Sequence, residues 1–536
     1  MLSSKNTVAL PESGIIVRRS GKYQYVYKVL ETFRNNKGQP TNKRRLIGRL
    51  APDGQKLVPN DGYYELCGQD AATEFVPAFE SVISIGSSFL ATHILARLGV
   101  TRILEDVLGE RRTYSVVTAA AYMACEGNVF EYVSDWCERS MIGGPALSPQ
   151  KASSLFASLT HDEKMAFFRE WVTTNAKPGY ISYDVTSFSS YAEGVRDLEW
   201  GYNRDGEKLP QINLGCYLAQ ESRLPMFYVT YPGSIVDKSY LPYMMAYNKE
   251  LGLGGDIVFV LDRGFCSTSN VKFMHSEGIR YVMGVDTRHK ATRAAIDRVR
   301  QKIISFRNLV GDGTYAEAVP SRFYGESSVM HVYNSPELGE RQRRDLARTV
   351  EKMEAELAQL GAVSEKQLKR FSRFFDLKTD NKKLAFERNY DRIDEASEGC
   401  GVFCILTNCG FTSAEILDIY RRKDTIEKGF DDIKNHIDMK RMRTHTDATI
   451  GGKLFCAFIA LIVASEMANG LNVFNNTNKQ RTLSKRSLIL ALDKIRVFVT
   501  ADSRRLINPL TKTQRDLLSA FKVNEADLNA YIANKC

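Results

Sequence analysis

"VFVLDRGFCS", residues 258–267, is the stretch that decides the fold. Val258 to Leu261 is an apolar run that, with Ile257, reads as a short buried strand. It stops on a carboxylate, Asp262, followed by Arg263 and Gly264. A charge at that depth is costly unless something pairs with it, so Asp262 needs a partner. A second acid of the same kind lies upstream. In "YISYDVTSF" (180–188) alternate residues share a face, which sets Ser182, Asp184 and Thr186 against Ile181, Tyr183 and Val185. Two ionised carboxylates about 4 Å apart repel by roughly 4 kcal/mol at an effective dielectric near 20. Either one is protonated or a cation lies between them.

A third acid comes from "AEILDIYRRKDTIEKGFDDIK" (414–434), a helical pattern whose start carries a capping box, Thr412 with Glu415. At about 100° per residue, Tyr420, Lys423, Glu427 and Lys434 fall within a stripe of about 60°. An apolar stripe, Ile419, Ile426, Phe430 and Ile433, runs beside it. An amphipathic helix with solvated charge pairs has the same pattern; a helix that offers Glu427 to the two strand acids has it too. Three carboxylates from separate elements suit a hard divalent ion such as Mg2+ or Mn2+. Two such ions about 3.5 to 4 Å apart stabilise both the attacking and the leaving oxygen of a phosphodiester displacement.

Outward from these segments, residues 178–286 read as three strands, a helix, a strand, a helix and a strand, an α/β layout on a mixed sheet. Residues 287–400 break that order with a basic helical piece, a β-like piece and a charged helix, and read as an insertion. Residues 86–176 read as helices, and 450–536 as mostly helical. Residues 15–50 alternate as a hairpin or small sheet entered at Ser20-Gly21, with Tyr23, Tyr25 and Tyr27 on one face. Tyrosines in such a pattern are more often core than contact.

The chain has 536 residues, too many for one core, so two to four domains are expected. Its formal net charge is +10, and residues 1–50 hold eleven Lys or Arg against two Glu. That arm points to a polyanionic partner or simply to solubility. The ten cysteines follow no disulfide spacing and suit a reducing compartment. Cys400, Cys404 and Cys409 have neither a CxxC pair nor a nearby His, and read as core. The longest apolar run, Leu454 to Ala464, is too short to span a bilayer, and no apolar signal core opens the chain.

The segments "YDVTSF", "VFVLDRGFCSTSNVKFM" and "YRRKDTIEKGFDDIK" resemble the three blocks of DDE transposases of bacterial insertion sequences. The third resembles the Tyr-x2-Arg-x3-Glu-x6-Lys motif of the insertion-sequence-four-like group, here Tyr420, Lys423, Glu427 and Lys434, with Lys423 where that group usually has Arg. The resemblance covers about 178–470. It implies a ribonuclease-H-like core split by an insertion before the last catalytic helix. The expected organisation is a basic β-rich region (1–85) and a helical region (86–176), both for DNA binding. The core follows in two parts (177–286 and 409–475) around an insertion (287–408), with a helical C-terminal region (476–536).

The resemblance further implies Asp184, Asp262 and Glu427 as catalytic acids and ligands of Mg2+ or Mn2+, two ions per site. Lys423 and Lys434 would hold phosphates, and Tyr420 would pack on or hydrogen-bond to the DNA backbone. Arg263 is either a DNA contact or a partner of an acid. The implied partner is double-stranded DNA, both the element's terminal inverted repeats and its target, bound by a homodimer with no membrane, in a prokaryotic cytoplasm at the nucleoid. The expected reaction is cut-and-paste transposition. The alternatives are a nuclease on the same fold and a non-catalytic DNA-binding descendant.

Overall fold

The structure, a computed structural model, describes residues 7–534 except 22, 36–37, 52–53, 68–78, 143–145, 177–178, 204–205, 254–255, 361–362, 381–382, 480 and 501–503. The chain divides into two compact units. The larger consists of Leu90–Cys137 and Gly144–Val473. Its centre is a nine-stranded mixed sheet. In chain order the strands are β1 (Tyr180–Ser189), β2 (Gln211–Ala219), β3 (Pro225–Pro232), β4 (Val258–Leu261), β5 (Arg280–Val285), β6 (Leu309–Gly311), β7 (Thr314–Phe323), β8 (Glu326–Asn334) and β9 (Val402–Thr407). Across the sheet they run β6-β7-β8-β9-β5-β4-β1-β2-β3.

Strands β1, β2 and β3 form an antiparallel meander, and β4 lies parallel to both β1 and β5. All four residues of β4 are buried, as a parallel strand covered on both faces requires. The helices Asp237–Glu250 and Thr268–Ser276 supply the crossovers that parallel pairing demands.

The expected insertion does two different things. Residues 309–334 and 402–407 supply β6 to β9, a mutually antiparallel set that prolongs the central sheet and joins it where β9 pairs antiparallel with β5. Between β8 and β9, the helices Pro336–Gln359, Glu365–Phe371 and Tyr390–Glu398 and a hairpin at 375–388 gather around their own core of Val350, Met353, Leu357, Phe371, Phe374 and Phe375. The helices upstream of β1 form, as expected, and the last of them packs on the sheet. Trp171 donates its indole N–H to Pro225 O of β3 at 2.9 Å, and Phe168 packs on Phe227, Tyr228, Phe455 and Phe458. The helix Glu110–Cys125 is buried along most of its length.

Phe455 and Phe458 belong to Asp447–Thr477, a helix of 31 residues whose most apolar window has mean hydropathy 1.9. By length and composition it could cross a membrane, although its longest unbroken apolar run is short. In this fold 83% of that window is buried inside the protein, as for the central helix of a folded core.

The smaller unit comprises Met1–Phe89, Glu138–Gly143 and Phe474–Cys536. It contains a five-stranded antiparallel sheet within residues 8–59 and a three-stranded sheet. In the latter, Arg496–Thr500 pairs with Phe79–Ser84 and Arg505–Ile507. The region 476–536, expected to be helical, therefore holds strands as well. "RVFVT" is β-branched and aromatic, and it finds its partner strand about 400 residues away in sequence, where no local pattern reveals it.

Candidate active site

The register of the parallel pair brings the two strand acids together. Val260 pairs with Ser182 and Leu261 with Tyr183, so the next residues, Asp262 and Asp184, sit side by side on strands about 4.8 Å apart. Asp262 directly follows β4 and leads into a short turn, Arg263–Phe265. Asp184 lies within β1, and its Oδ1 accepts the N–H of Val185 at 2.8 Å.

The third acid arrives on a broken helix. Thr412 and Glu415 form the capping box read in the sequence. The helix Ser413–Arg421 buries Ile416, Leu417 and Ile419, then stops; a second helix, Asp424–Asp431, starts after a turn at Arg422 and Lys423, and a π-helical turn, Asp432–His436, follows. Of the expected apolar stripe, Ile419, Ile426 and Ile433 are buried and Phe430 is half-buried. The break turns Lys423 inward. Its Nζ lies 3.2 Å from Glu427 Oε1, 3.9 Å from Asp262 Oδ1 and 4.0 Å from Asp184 Oδ2. The Lys423 side chain is only 9% exposed, whereas Glu427 is 61% and Asp262 43% exposed. The acids therefore ring a buried cation on one side and open to solvent on the other.

The electrostatics follow from that arrangement. Burial works against the charge on Lys423, but Asp184, Asp262 and Glu427 more than offset it and hold its pKa above the ordinary lysine value. Tyr420 donates its hydroxyl to Asp262 Oδ1 at 3.3 Å; burial, and then the charge of Asp262, push its pKa well up, so it stays a donor. Lys434 is buried on the π-helical turn, and Arg263 is exposed beside Asp262. The structure thus brings Asp184, Asp262, Glu427, Lys423 and Tyr420 together. Of the three helix residues expected to touch DNA, Lys423 and Tyr420 contact the acids, and Lys434 lies on the π-helical turn.

Two further residues shape the site. Gly284 in β5 faces the phenol of Tyr420: a Cβ there would stand 2.4 Å from the hydroxyl oxygen and 3.3 Å from Arg263 N. A glycine inside a strand often marks such a close approach, and "YVMGVD" carried that signal. Gln220, just beyond β2, donates from Nε2 to Ser182 Oγ at 2.9 Å and to Ile419 O at 3.0 Å. It satisfies a helix-terminal carbonyl and ties the end of that helix to β1 beside Asp184. Nothing local in the sequence marks Gln220.

Among the described residues no group of three or more His, Cys, Asp or Glu side chains is gathered closely enough to hold a metal ion; here the carboxylates converge on the ammonium instead. The donor set nonetheless fits a hard divalent cation. It is oxygen only, and three carboxylates against one ammonium leave a formal excess of two negative charges. Of the three cysteines read as core, Cys404 and Cys409 are buried and Cys400 is half-buried.

The family model described as the transposase DDE domain matches residues 176–463. Among solved structures, the cryo-EM structure of a piggyBac transposase synaptic complex with hairpin DNA is similar at 12% identity and a TM-score of 0.33, covering 84% of this chain and 76% of that one. No curated protein matches the sequence. The family match takes in β1 to β9 and all three converging acids, over more than half of the chain, and on that match the chain belongs to the DDE transposases, enzymes that act on DNA.

Proposed function

We propose that Asp184, Asp262 and Glu427 are the catalytic acids of a cut-and-paste transposase with a ribonuclease-H-like core, related to the insertion-sequence-four-like group. One observation carries this reading: acids from three separate elements surround a single buried cationic point and open to solvent on the other side. DDE transposases generally depend on divalent metal. Mg2+ or Mn2+, as one or two ions held by these acids, would polarise the scissile phosphodiester and stabilise the charge that develops on it.

The chain's own groups do the rest. Water attacks phosphorus and the bond to the 3′ oxygen breaks, leaving a 3′-hydroxyl; that hydroxyl then attacks a phosphodiester of the target and displaces its 3′ oxygen. Tyr420 orients the Asp262 carboxylate by its hydrogen bond. Lys423, a point charge on a flexible stem, reaches a phosphate drawn to the same centre. Arg263, exposed at the rim, is a contact for the DNA backbone, and Lys434 holds a phosphate when the π-helical turn admits one. Two copies bridging the two inverted repeats would complete the assembly, acting at the nucleoid of a bacterial cell.

The test is cleavage of a supercoiled plasmid carrying the DNA that flanks this reading frame. Wild type with Mg2+ should nick it and join 3′ ends to a target duplex. Asp184→Ala, Asp262→Ala and Glu427→Ala should each abolish both steps while binding persists. Cleavage without joining would favour a nuclease, and near-normal cleavage by any of the three variants would remove that residue from the acid set.

A further inference from the structure

The amino-terminal sheet has two unlike faces. One carries Val26, Ile47 and Leu57, packed with Tyr63 of the helix Asp61–Cys67 into a small core. The other is set by register. Tyr25 on Tyr23–Arg34, the strand between Ile15–Ser20 and Pro40–Leu50, pairs with Arg18 on one neighbour and with Arg49 on the other. A row Arg–Tyr–Arg therefore crosses three strands on the face away from Val26. Tyr23 and Tyr27 flank Tyr25 on that face, about 7 Å to either side. Arg49 lies 5.2 Å over the Tyr23 ring and Arg44 5.2 Å over the Tyr27 ring. Tyr23 is 41% exposed. None of the residues paired in these rows is acidic. The tyrosines read in the sequence as more often core are thus the outer face, because the side chains of Ile47, Leu57 and Tyr63 pack against Val26 on the other.

We propose that this face docks in the major groove of duplex DNA, with the tyrosines toward the base edges and Arg18 and Arg49 on the two phosphate walls. The proposal rests on the transposase reading and deepens it by naming where the chain grips DNA. The dimensions fit. The strands that carry Arg18 and Arg49 lie about 10 Å apart, so their side chains span a groove about 12 Å wide, and sheets are known readers of it. The arginines supply charge-assisted bonds to phosphate oxygens, and the tyrosine hydroxyls both donate and accept. A single-stranded partner fits less well. Stacked bases need free aromatic faces, and guanidinium groups already cover one face of Tyr23 and one of Tyr27.

The experiment uses the full chain and a fluorescein-labelled duplex of mixed sequence, read by anisotropy across a salt series, with one of its single strands as the comparison. Wild type should prefer the duplex. Arg18→Ala with Arg49→Ala should weaken duplex binding and flatten the plot of log affinity against log salt by about 1.8, the loss of two phosphate contacts. Arg18→Lys with Arg49→Lys should keep the wild-type slope, which separates lost charge from lost folding. A double alanine variant with wild-type affinity and slope overturns the proposal, as does a wild type that prefers the single strand. Plasmid cleavage by wild type in Mg2+ is scored separately. A chain that cleaves while the double variant binds normally fails only here; a chain that grips duplex through this face and never cleaves fails in the reading of the acids.

Discussion

Lys423 Nζ lies 4.0 Å from Asp184 Oδ2, and that contact joins a break in a helix to a central strand of the sheet. The same ammonium faces Asp262 and Glu427, so the fold keeps three acids together with a cation of its own. Lys423→Met should therefore destabilise the protein in chelator-containing buffer. The carboxylates are partly exposed, so the loss is about 1–2 kcal/mol, less than for a fully buried pair. Mg2+ should recover part of it by binding the folded state. Thermal melts with and without Mg2+ check this; equal melting of variant and wild type in chelator would show that the acids need no internal cation.

Gly284→Ala should displace the Tyr420 hydroxyl, since the new Cβ meets it at 2.4 Å. Overpacking of this kind costs about 1–3 kcal/mol. Tyr420→Phe removes the clashing oxygen, so the double variant should be more stable than the sum of the two single effects. Denaturant titration of the four proteins measures the coupling, and strict additivity would mean that the two residues do not meet.

Gln220→Leu removes the donor shared by Ser182 and Ile419 O. Leaving buried acceptors unpaired costs about 1–3 kcal/mol. Amide hydrogen exchange at residues 417–422 should accelerate, and cleavage should slow more than duplex binding weakens. Unchanged exchange at that helix end would remove Gln220 from its positioning role.

Stability should rise with pH because of Lys453. Burial, and then the like charge of Arg443, lower its pKa from the ordinary 10.5 to about 7, although Asn128 and Met442 supply acceptors for its ammonium. Between those two values the unfolded chain binds a proton that the folded chain does not. The contribution therefore opposes folding in full below about pH 7 and fades as pH rises toward 10.5, with a slope of at most about 1.4 kcal/mol per pH unit. Urea titrations between neutral and alkaline pH should show this rise in wild type and lose it in Lys453→Met. Parallel pH profiles for the two proteins would show that Lys453 stays charged in the fold.

The chemistry of the candidate site was legible locally. An apolar strand that stops on Asp262, an alternating strand that carries Asp184 and a capped amphipathic helix that carries Glu427 are period and capping signals, and these are fixed by residues within a few positions of one another. What only the tertiary structure decided has a common cause: it depends on pairings distant in sequence. The parallel register of Tyr183 with Leu261 makes the two acids neighbours. The break at Arg422 and Lys423 sends the lysine inward to the acids, where a continuous helix would have kept it on the marginal stripe. Gln220 and Gly284 matter through atoms about 200 and 136 residues away in sequence. The amino-terminal tyrosines could be assigned to one face from alternation alone, but period two does not say which face is covered. A short helix and a neighbouring strand settled that by burying Val26, and so left tyrosine and arginine on the outside.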